Sequence, residues 1–265
     1  MLRNVFLKSL WEQRKSLLWW TLGLAALTLI TILFYPSFSD APEFNDLLGD
    51  EDSFVRAFVG DISDLTSPEG FLNSQLYFLM VPLLFLVFAI ARGSGAIAGE
   101  EERGTLDLLL SNPLTRSQVL LHKFAAMLVA ILALAFILWL SAVIGAIAVD
   151  MDISFMRMAE VTLSAALLGI LFGAVALALG SATGKRGMSI GVASAVGVSA
   201  YLLNALAPVV GALEPFSKLS PFYYYSNSDP LTNGLDPLHA AVLVALTAVL
   251  LVVALFTFER RDLAV

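Results

Sequence analysis

The sequence contains no cysteine, and only 14 % of its 265 residues are charged. The absence of cysteine excludes disulfides, thiol nucleophiles and thiolate metal sites. The low charge content differs from that of soluble domains, in which about 25 % of residues are charged. Six stretches have no Asp, Glu, Lys or Arg at all; they cover residues 16–39, 70–91, 124–149, 161–184, 187–213 and 237–258.

Each of these six stretches is long enough to cross a membrane as a helix. The shortest has 22 residues, and about 20 apolar residues span the hydrocarbon core of a bilayer. Lipid-exposed backbone must satisfy its own hydrogen bonds, so each stretch is predicted to be helical. The helices of a soluble domain, the alternative, would be shorter and would keep a polar face. The sequence therefore predicts an all-α integral membrane protein, in which residues 1–265 form a single transmembrane domain with six spans.

Basic residues are distributed unevenly between the two sides of such a bundle. Six spans place both termini on one side, and 12 of the 15 Lys and Arg residues fall there: Arg3, Lys8, Arg14, Lys15, Arg92, Arg103, Arg116, Lys123, Lys185, Arg186, Arg260 and Arg261. The other side has Arg56, Arg157 and Lys218. The positive-inside rule then predicts a multi-pass protein of the cell inner (cytoplasmic) membrane with cytoplasmic termini. The net charge of −7 belongs to the external loops, where most acids lie.

Two segments outside the spans have distinctive compositions. In residues 1–15, apolar side chains recur at helical spacing among charged ones, which predicts an amphipathic helix in the cytoplasmic interface. The alternative is a basic orientation signal followed by tryptophan anchors. Residues 211–237 are rich in proline and glycine and include an aromatic run at 222–225. This segment is too broken to span the membrane and is predicted to enter the outer leaflet.

Small residues one helical turn apart occur in spans four and five. They are Gly169 and Gly173 in the first case and Gly187 and Gly191 in the second. Such pairs let helices approach closely, and we expect both pairs to mark packing within the chain rather than an oligomer interface. Only residues 183–187 join the two spans, which predicts a tight antiparallel hairpin.

The connection between spans two and three combines a charged cluster with leucines. Residues 105–110 are predicted to form a short helix that ends before Pro113. Thr115 and Gln118 form a capping box that begins the next helix. An exposed apolar patch surrounded by charges is typical of a protein-binding surface. A solvated connector is the alternative, and it explains the charges but not the leucines.

Residues 100–116, with the sequence Glu-Glu-Glu-Arg-Gly-Thr-Leu-Asp-Leu-Leu-Leu-Ser-Asn-Pro-Leu-Thr-Arg, resemble the signature loop of ABC-2 type transporter permeases. The similarity is greatest to the stand-alone six-span kind that works with a separate ATPase subunit, and residues 68–71 and 219–222 are also similar to that family. The resemblance implies that residues 1–15 form a connecting helix and residues 100–114 a coupling helix on the ATPase. It also implies that residues 211–237 are re-entrant, and that spans two and five line a path between two permease copies.

The resemblance also assigns residues for docking onto the ATPase. They are Glu100, Glu101, Glu102, Arg103, Thr105, Leu106 and Leu109. Charge reversal at Arg103, or Leu106→Asp, is predicted to uncouple ATP hydrolysis from transport. Tyr201 and Asn204 in span five are candidates for lining the translocation path, and satisfied hydrogen bonds between helices are the alternative role.

The sequence has no phosphate-binding loop. The nearest approach, residues 180–186, has one residue too few between its glycines and places Arg186 where Ser or Thr would bind magnesium. The two histidines, His122 and His239, are predicted to lie on opposite faces of the membrane and cannot share a metal ion. The chain is therefore predicted to be a translocase subunit rather than an enzyme. We expect no cofactor in this chain, with ATP and magnesium bound by a partner.

The predicted spans also contain no ionisable Asp, Glu, Lys or Arg. Ion-coupled carriers usually place such groups within the membrane despite their cost. Energy is thus predicted to enter through the cytoplasmic connection, as in the permease of an ATP-driven exporter of hydrophobic or amphipathic substrates. The predicted partners are an ATPase subunit, a second permease copy and membrane lipid, without nucleic acid. A secondary carrier acting alone and a structural or sensory membrane component are the alternatives.

Overall fold

The computed structural model describes residues 5–39, 66–106, 114–227 and 229–261. Its helices are α1 (Val5–Leu33), α2 (Tyr35–Ser39), α3 (Pro68–Leu72), a π-helix (Asn73–Tyr77), α4 (Met80–Ala96), α5 (Ala98–Glu102), α6 (Arg116–Ala148), α7 (Phe155–Thr183), α8 (Arg186–Leu206), a 3₁₀-helix (Glu214–Leu219), α9 (Pro221–Ser226) and α10 (Pro237–Arg260). These ranges contain no strand, so the all-α prediction is confirmed.

Among the described residues, six helical segments are long and apolar enough to cross a membrane, as the sequence predicts. They are Val5–Ser39, Pro68–Ala96, Arg116–Ala148, Phe155–Thr183, Arg186–Leu206 and Pro237–Arg260. Several extend beyond the charge-free stretches because a helix continues into charged flanks that can reach water. The second segment is interrupted by the π-helix and by Leu79, whose φ of −130° departs from helical geometry before α4 begins.

The amphipathic N-terminal segment is continuous with the first span. We expected residues 1–15 to form a helix distinct from that span, but α1 runs without a break from Val5 to Leu33. Residues 5–15 contain no proline or glycine that would interrupt it. Lys8 and Glu12 add an exposed ion pair one turn apart, at 3.7 Å. Residues 1–4 lie outside the described part of the chain.

Helix α7 is the centre of the bundle and packs against α4, α6, α8 and α10. Its contact with α4 is close because glycines face each other there. A Cβ added at Gly93 would overlap the carbonyl oxygen of Gly173, and one added at Gly169 would lie 3.0 Å from the Cβ of Phe85. The prediction that Gly169 and Gly173 mark packing within the chain is confirmed.

The second glycine pair behaves differently. A Cβ added at Gly187 or Gly191 would meet nothing within 4 Å. The prediction of intrachain packing is therefore wrong for this pair, because α8 turns these residues away from its neighbours. The predicted hairpin between α7 and α8 is confirmed. Gly184 adopts a left-handed φ of +68° after Thr183, and its N–H donates to the carbonyl oxygen of Gly180.

The segment between α8 and α10 is held against the bundle by side-chain hydrogen bonds. Ser220 caps α9 and donates from its hydroxyl to the carbonyl oxygen of Ala200 at 2.7 Å. The Tyr225 hydroxyl donates to the carbonyl oxygen of Tyr77 in the π-helix. The described residues between α8 and α10 include two short helical turns, the 3₁₀-helix and α9, as the broken composition of this segment indicates. Their entry into the outer leaflet stays a prediction.

Candidate functional site

Residues 98–106, which we call the linker segment, follow α4 at the end of the bundle where α1 begins and α10 ends. We call this end the terminal end. The short helix α5 carries three consecutive glutamates, Glu100, Glu101 and Glu102. Successive positions on a helix point in directions about 100° apart, so each glutamate faces a different neighbour. The three carboxylates bind three different helices.

Glu100 joins the linker segment to α6 through a buried ion pair. It is only 4 % exposed, and its Oε1 accepts a hydrogen bond from Lys123 Nζ at 2.6 Å. Arg103 approaches the same oxygen at 3.4 Å, and the Thr105 hydroxyl donates to Oε2 at 2.5 Å. Burial opposes the charge of Glu100, but the Lys123 ammonium, with help from Thr105 and Arg103, holds its pKa below the usual value.

Glu101 joins the linker segment to the end of α10. Its carboxylate forms an ion pair with Arg261, the residue after that helix. Gly184 leaves room for the pair, since a Cβ at that position would lie 2.7 Å from Glu101 Oε2. Arg116, at the start of α6, donates to the carbonyl oxygens of Phe258 at 3.2 Å and Arg261 at 2.8 Å. The end of α10 is thus attached to two elements.

Glu102 caps the N-terminus of α8. Its Oε1 accepts a hydrogen bond of 2.8 Å from the backbone N–H of Arg186, the first residue of that helix. The first N–H groups of a helix have no partner within the helix, and its dipole favours an anion there. The bond therefore fixes the start of α8 against α5.

Leu106 is buried rather than exposed. It is 3 % exposed and belongs to an apolar cluster whose members come from four other parts of the chain: Ile97, Val119, Leu120, Leu177, Ala178, Ala254 and Phe258. Our expectation that this leucine lies on an exposed patch is wrong, because α6, α7 and α10 leave an apolar gap that it fills. Leu109 falls in residues 107–113, outside the described part of the chain.

Arg103 and Glu102 are the predicted docking residues that stay exposed in the described ranges. The Arg103 side chain is 59 % exposed, and Gly104 follows with a left-handed φ of +66° that turns the chain. Glu100, Glu101, Thr105 and Leu106 are less exposed and are engaged within the chain, and Glu102 keeps its bond to the start of α8. The linker segment is thus attached internally and presents Arg103 outward.

The two candidate path residues have different surroundings. Tyr201 lines a cavity of about 370 Å³ between α4 and α8, where its ring packs against Phe222 at a centroid distance of 5.6 Å. Asn204 donates from Nδ2 to Ser226 Oγ at 3.3 Å, the interhelical hydrogen bond that was its alternative role. Among the described residues, no three His, Asp or Glu side chains meet in a way that would hold a metal ion.

In the described part of the chain, six membrane-length helices with α7 at their centre, and a charged linker attached at one end, define a polytopic α-helical membrane protein. The chain belongs to the ABC-2 family transporter proteins, because the model of that family matches residues 3–263. This confirms the resemblance seen in residues 100–116.

A curated relative also matches part of the chain. Over 130 residues the chain is 38 % identical to the probable ABC transporter permease protein NosY of Stutzerimonas stutzeri. The match covers 47 % of this chain and 45 % of that protein, so it extends over about half of each.

Proposed function

We propose that this chain is the permease subunit of an ATP-driven exporter of hydrophobic or amphipathic molecules, powered by a separate ATPase that binds ATP and magnesium. The observation that carries the proposal is the linker segment, which contacts α6, α8 and α10 and still presents Arg103 to solvent. The similarity to the S. stutzeri relative, a probable ABC transporter permease protein, supports the same role.

The attachments of the linker segment suggest how work would reach the spans. A partner that binds Arg103 and the residues after it would displace a segment joined to three helix ends. The buried Glu100–Lys123 pair and the Leu106 cluster would carry that displacement to α6 and α10. The ATPase can shift the permease between two states only if its nucleotide-bound form binds one state more tightly.

The proposed path lies between two copies of the chain. Helix α8 leaves Gly187 and Gly191 uncovered, and together with α4 it lines the cavity that contains Tyr201. Apart from Tyr201 and Ser194 this cavity is lined by apolar side chains and Gly197, which suits a hydrophobic or amphipathic substrate. We assign α8 to the face between copies and Tyr201 to the path.

Arg103 provides the test of docking. We expect Arg103→Glu to lower recovery of the ATPase subunit about tenfold when the tagged chain is purified from its native membrane, because an exposed cation becomes an anion. The measurement is mass spectrometry of bound subunits that carry a phosphate-binding loop. Lys15→Glu is the control, because it reverses an exposed charge on α1 and should leave recovery unchanged. Equal recovery of the ATPase subunit with the unmodified chain, Arg103→Glu and Lys15→Glu would contradict docking at Arg103.

Leu106→Asp no longer serves as a test of docking. The side chain lies in an apolar cluster, and an uncompensated charge buried there would destabilise the fold itself. Loss of ATPase binding in that variant would have two causes that cannot be separated.

The orientation of the bundle has its own test, for which the absence of native cysteine is an advantage. We expect Lys15→Cys to react with a membrane-impermeant maleimide only after the cells are permeabilised. Lys218→Cys, at the other end of the bundle, should react in intact cells. The unmodified chain supplies a zero background. The reverse pattern would place the termini outside the cytoplasm and refute the proposed topology.

Reconstitution in liposomes separates the exporter from its two alternatives. Two of the membrane-length helices do contain a base, Arg92 in α4 and Lys123 in α6, and both bases lie near the terminal end of the bundle. The absence of charge therefore holds for the middle of these two helices and not for their full length. An exporter requires ATP and the ATPase for flux. Flux that the isolated chain drives from an ion gradient would identify a secondary carrier. ATPase binding without any flux would identify a structural or sensory component.

A further inference from the structure

A polar cavity of about 200 Å³ lies at the terminal end among α1, α4, α6 and α8. Its lining includes Ser9 and Gln13 of α1, Arg92 of α4, Lys123 of α6 and Arg186 of α8. The cavity that contains Tyr201 and the open groove beside α10 are lined almost entirely by apolar side chains. The cavity at the terminal end therefore suits a different, polar ligand.

The lining of this cavity carries an excess of positive charge. Four bases and two acids contribute to it: Arg92, Arg103, Lys123, Arg186, Glu12 and Glu100. Both acids are already engaged, Glu100 by Lys123 and Arg103, and Glu12 by Lys8. Among the described residues, no carboxylate oxygen lies within 4.0 Å of a side-chain nitrogen of Arg92 or Arg186. The cavity thus offers two guanidinium groups to an anion.

Buried polar atoms without partners also line the cavity. Ser9 is 2 % exposed, and its hydroxyl has no hydrogen-bond partner in the described part of the chain. The same holds for the buried Nε of Arg186. The Arg186 side chain lies beside Gly95 and Gly99, because Cβ atoms added there would be in ordinary van der Waals contact with it, 3.9 Å from its Nε and 3.6 Å from its Cδ. Buried polar groups are almost always hydrogen-bonded, so these donors indicate a ligand.

An apolar groove lies between α1 and α4, farther from the terminal end than the polar cavity, and we call the space between these two helices the seam. The groove has a volume of about 410 Å³, and Trp20, Gly23 and Leu27 of α1 and Leu84 of α4 line it. Trp20, which lines the groove, packs its ring against Phe88 of α4 at a centroid distance of 5.5 Å. Gln13 and Trp20 are two helical turns apart, or about 10 Å along the axis. A polar site and an apolar groove at this spacing match a headgroup and an acyl chain.

We infer that the seam between α1 and α4 binds one anionic phospholipid, with its phosphate between Arg92 and Arg186 and an acyl chain beside Gly23. Guanidinium groups recognise phosphate through paired N–H donors, and the Ser9 hydroxyl supplies a further donor. Since Arg186 begins α8 and Arg103 belongs to the linker segment, the lipid would contact the elements that move in the proposed transport cycle.

Lipid titration of the purified full chain in detergent tests the site by native mass spectrometry. The probes are dioctanoyl phosphatidic acid, dioctanoyl phosphatidylcholine and inorganic phosphate. We expect phosphatidic acid to bind at least about tenfold more tightly than phosphatidylcholine, because two guanidinium groups favour an unshielded phosphate. Arg92→Gln and Arg186→Gln should each lower that affinity about tenfold, and Ser9→Ala about threefold.

Two further variants make the test specific. Lys185→Gln removes an exposed base next to Arg186 that does not line the cavity, and it should leave the affinity unchanged. Gly23→Leu fills the groove at a position where an added Cβ meets nothing within 4 Å. It should weaken binding of phosphatidic acid but not of phosphate. If either arginine variant fails to give a monodisperse protein, the other and Gly23→Leu decide the outcome.

Three results would overturn the inference. Phosphate that binds as tightly as phosphatidic acid, with no effect of Gly23→Leu, would indicate a free-anion site. Equal affinity for phosphatidic acid and phosphatidylcholine would show that the two guanidinium groups do not select an anionic headgroup. An equal loss in Lys185→Gln would indicate attraction to the whole basic surface. None of these readouts needs ATP or a partner, so the result stands apart from the proposed transport function.

Discussion

Replacing Gly93 with alanine is expected to destabilise the protein by about 1–3 kcal/mol, the usual cost of overpacking a closely packed interior. The added methyl group would overlap the backbone oxygen of Gly173, and a backbone atom cannot rotate aside as a side chain can. Helices α4 and α7 would have to separate at their closest contact. The expected result is a lower midpoint of thermal unfolding, followed by circular dichroism in detergent.

Gly23→Ala is the matched control for this change. Both positions are helical glycines, but a Cβ at Gly23 meets nothing within 4 Å. Alanine favours a helix over glycine by about 0.5–1 kcal/mol, so this variant should be as stable as the unmodified chain or more stable. Equal midpoints for the Gly93 and Gly23 variants would show that α4 and α7 are not packed as described.

Replacing Lys123 with methionine should also have a large effect. Removing one partner of a buried ion pair costs about 3–5 kcal/mol, because the other charge stays buried without compensation. Lys123 is 6 % exposed, and Arg103 compensates Glu100 only in part, from 3.4 Å. We expect a lower unfolding midpoint for Lys123→Met, and partial recovery when Glu100→Gln removes the remaining carboxylate charge.

The exposed pair of Lys8 and Glu12 provides the comparison. Exposed ion pairs contribute about 0–1 kcal/mol, so Lys8→Met should change the midpoint little. A similar small effect of Lys123→Met would mean that the Glu100–Lys123 pair is open to water. The role of the linker segment in holding α6 would then have to be abandoned.

Local and compositional signals predict much of this fold. The six spans follow from the length of the charge-free stretches, since the thickness of the bilayer imposes that length. The capping box is also confirmed, with Thr115 and Gln118 bonded reciprocally at the start of α6. Each of these signals lies within one continuous stretch of sequence, where spacing along the chain determines distance in space.

The surroundings of the linker segment could not be predicted in the same way. The partners of Glu100, Glu101 and Glu102 are 23, 160 and 84 residues away in the sequence. In the sequence alone, three adjacent acids beside an apolar run therefore look like part of a solvated surface. Only the packing of α6, α8 and α10 brings their partners to α5. The burial of Leu106 was missed for the same reason.

The glycine pairs illustrate the limit of a local pattern. Gly169 with Gly173 and Gly187 with Gly191 have the same spacing, yet only the first pair faces a neighbouring helix. Spacing shows that two residues share a face of a helix. Which way that face points depends on the rotation of the helix in the bundle, and the pattern does not contain that information.

The three glutamates of α5 each bind a different helix, and this arrangement has a consequence for how the gene can change. One codon inserted or deleted within α5 would rotate the residues of that helix that follow it by about 100°. An insertion before Glu100 would displace all three carboxylates from their partners at once. A single substitution there disturbs one of these contacts, whereas a change of length disturbs all three. Evolution in this stretch is therefore expected to proceed by exchange of residues at constant length.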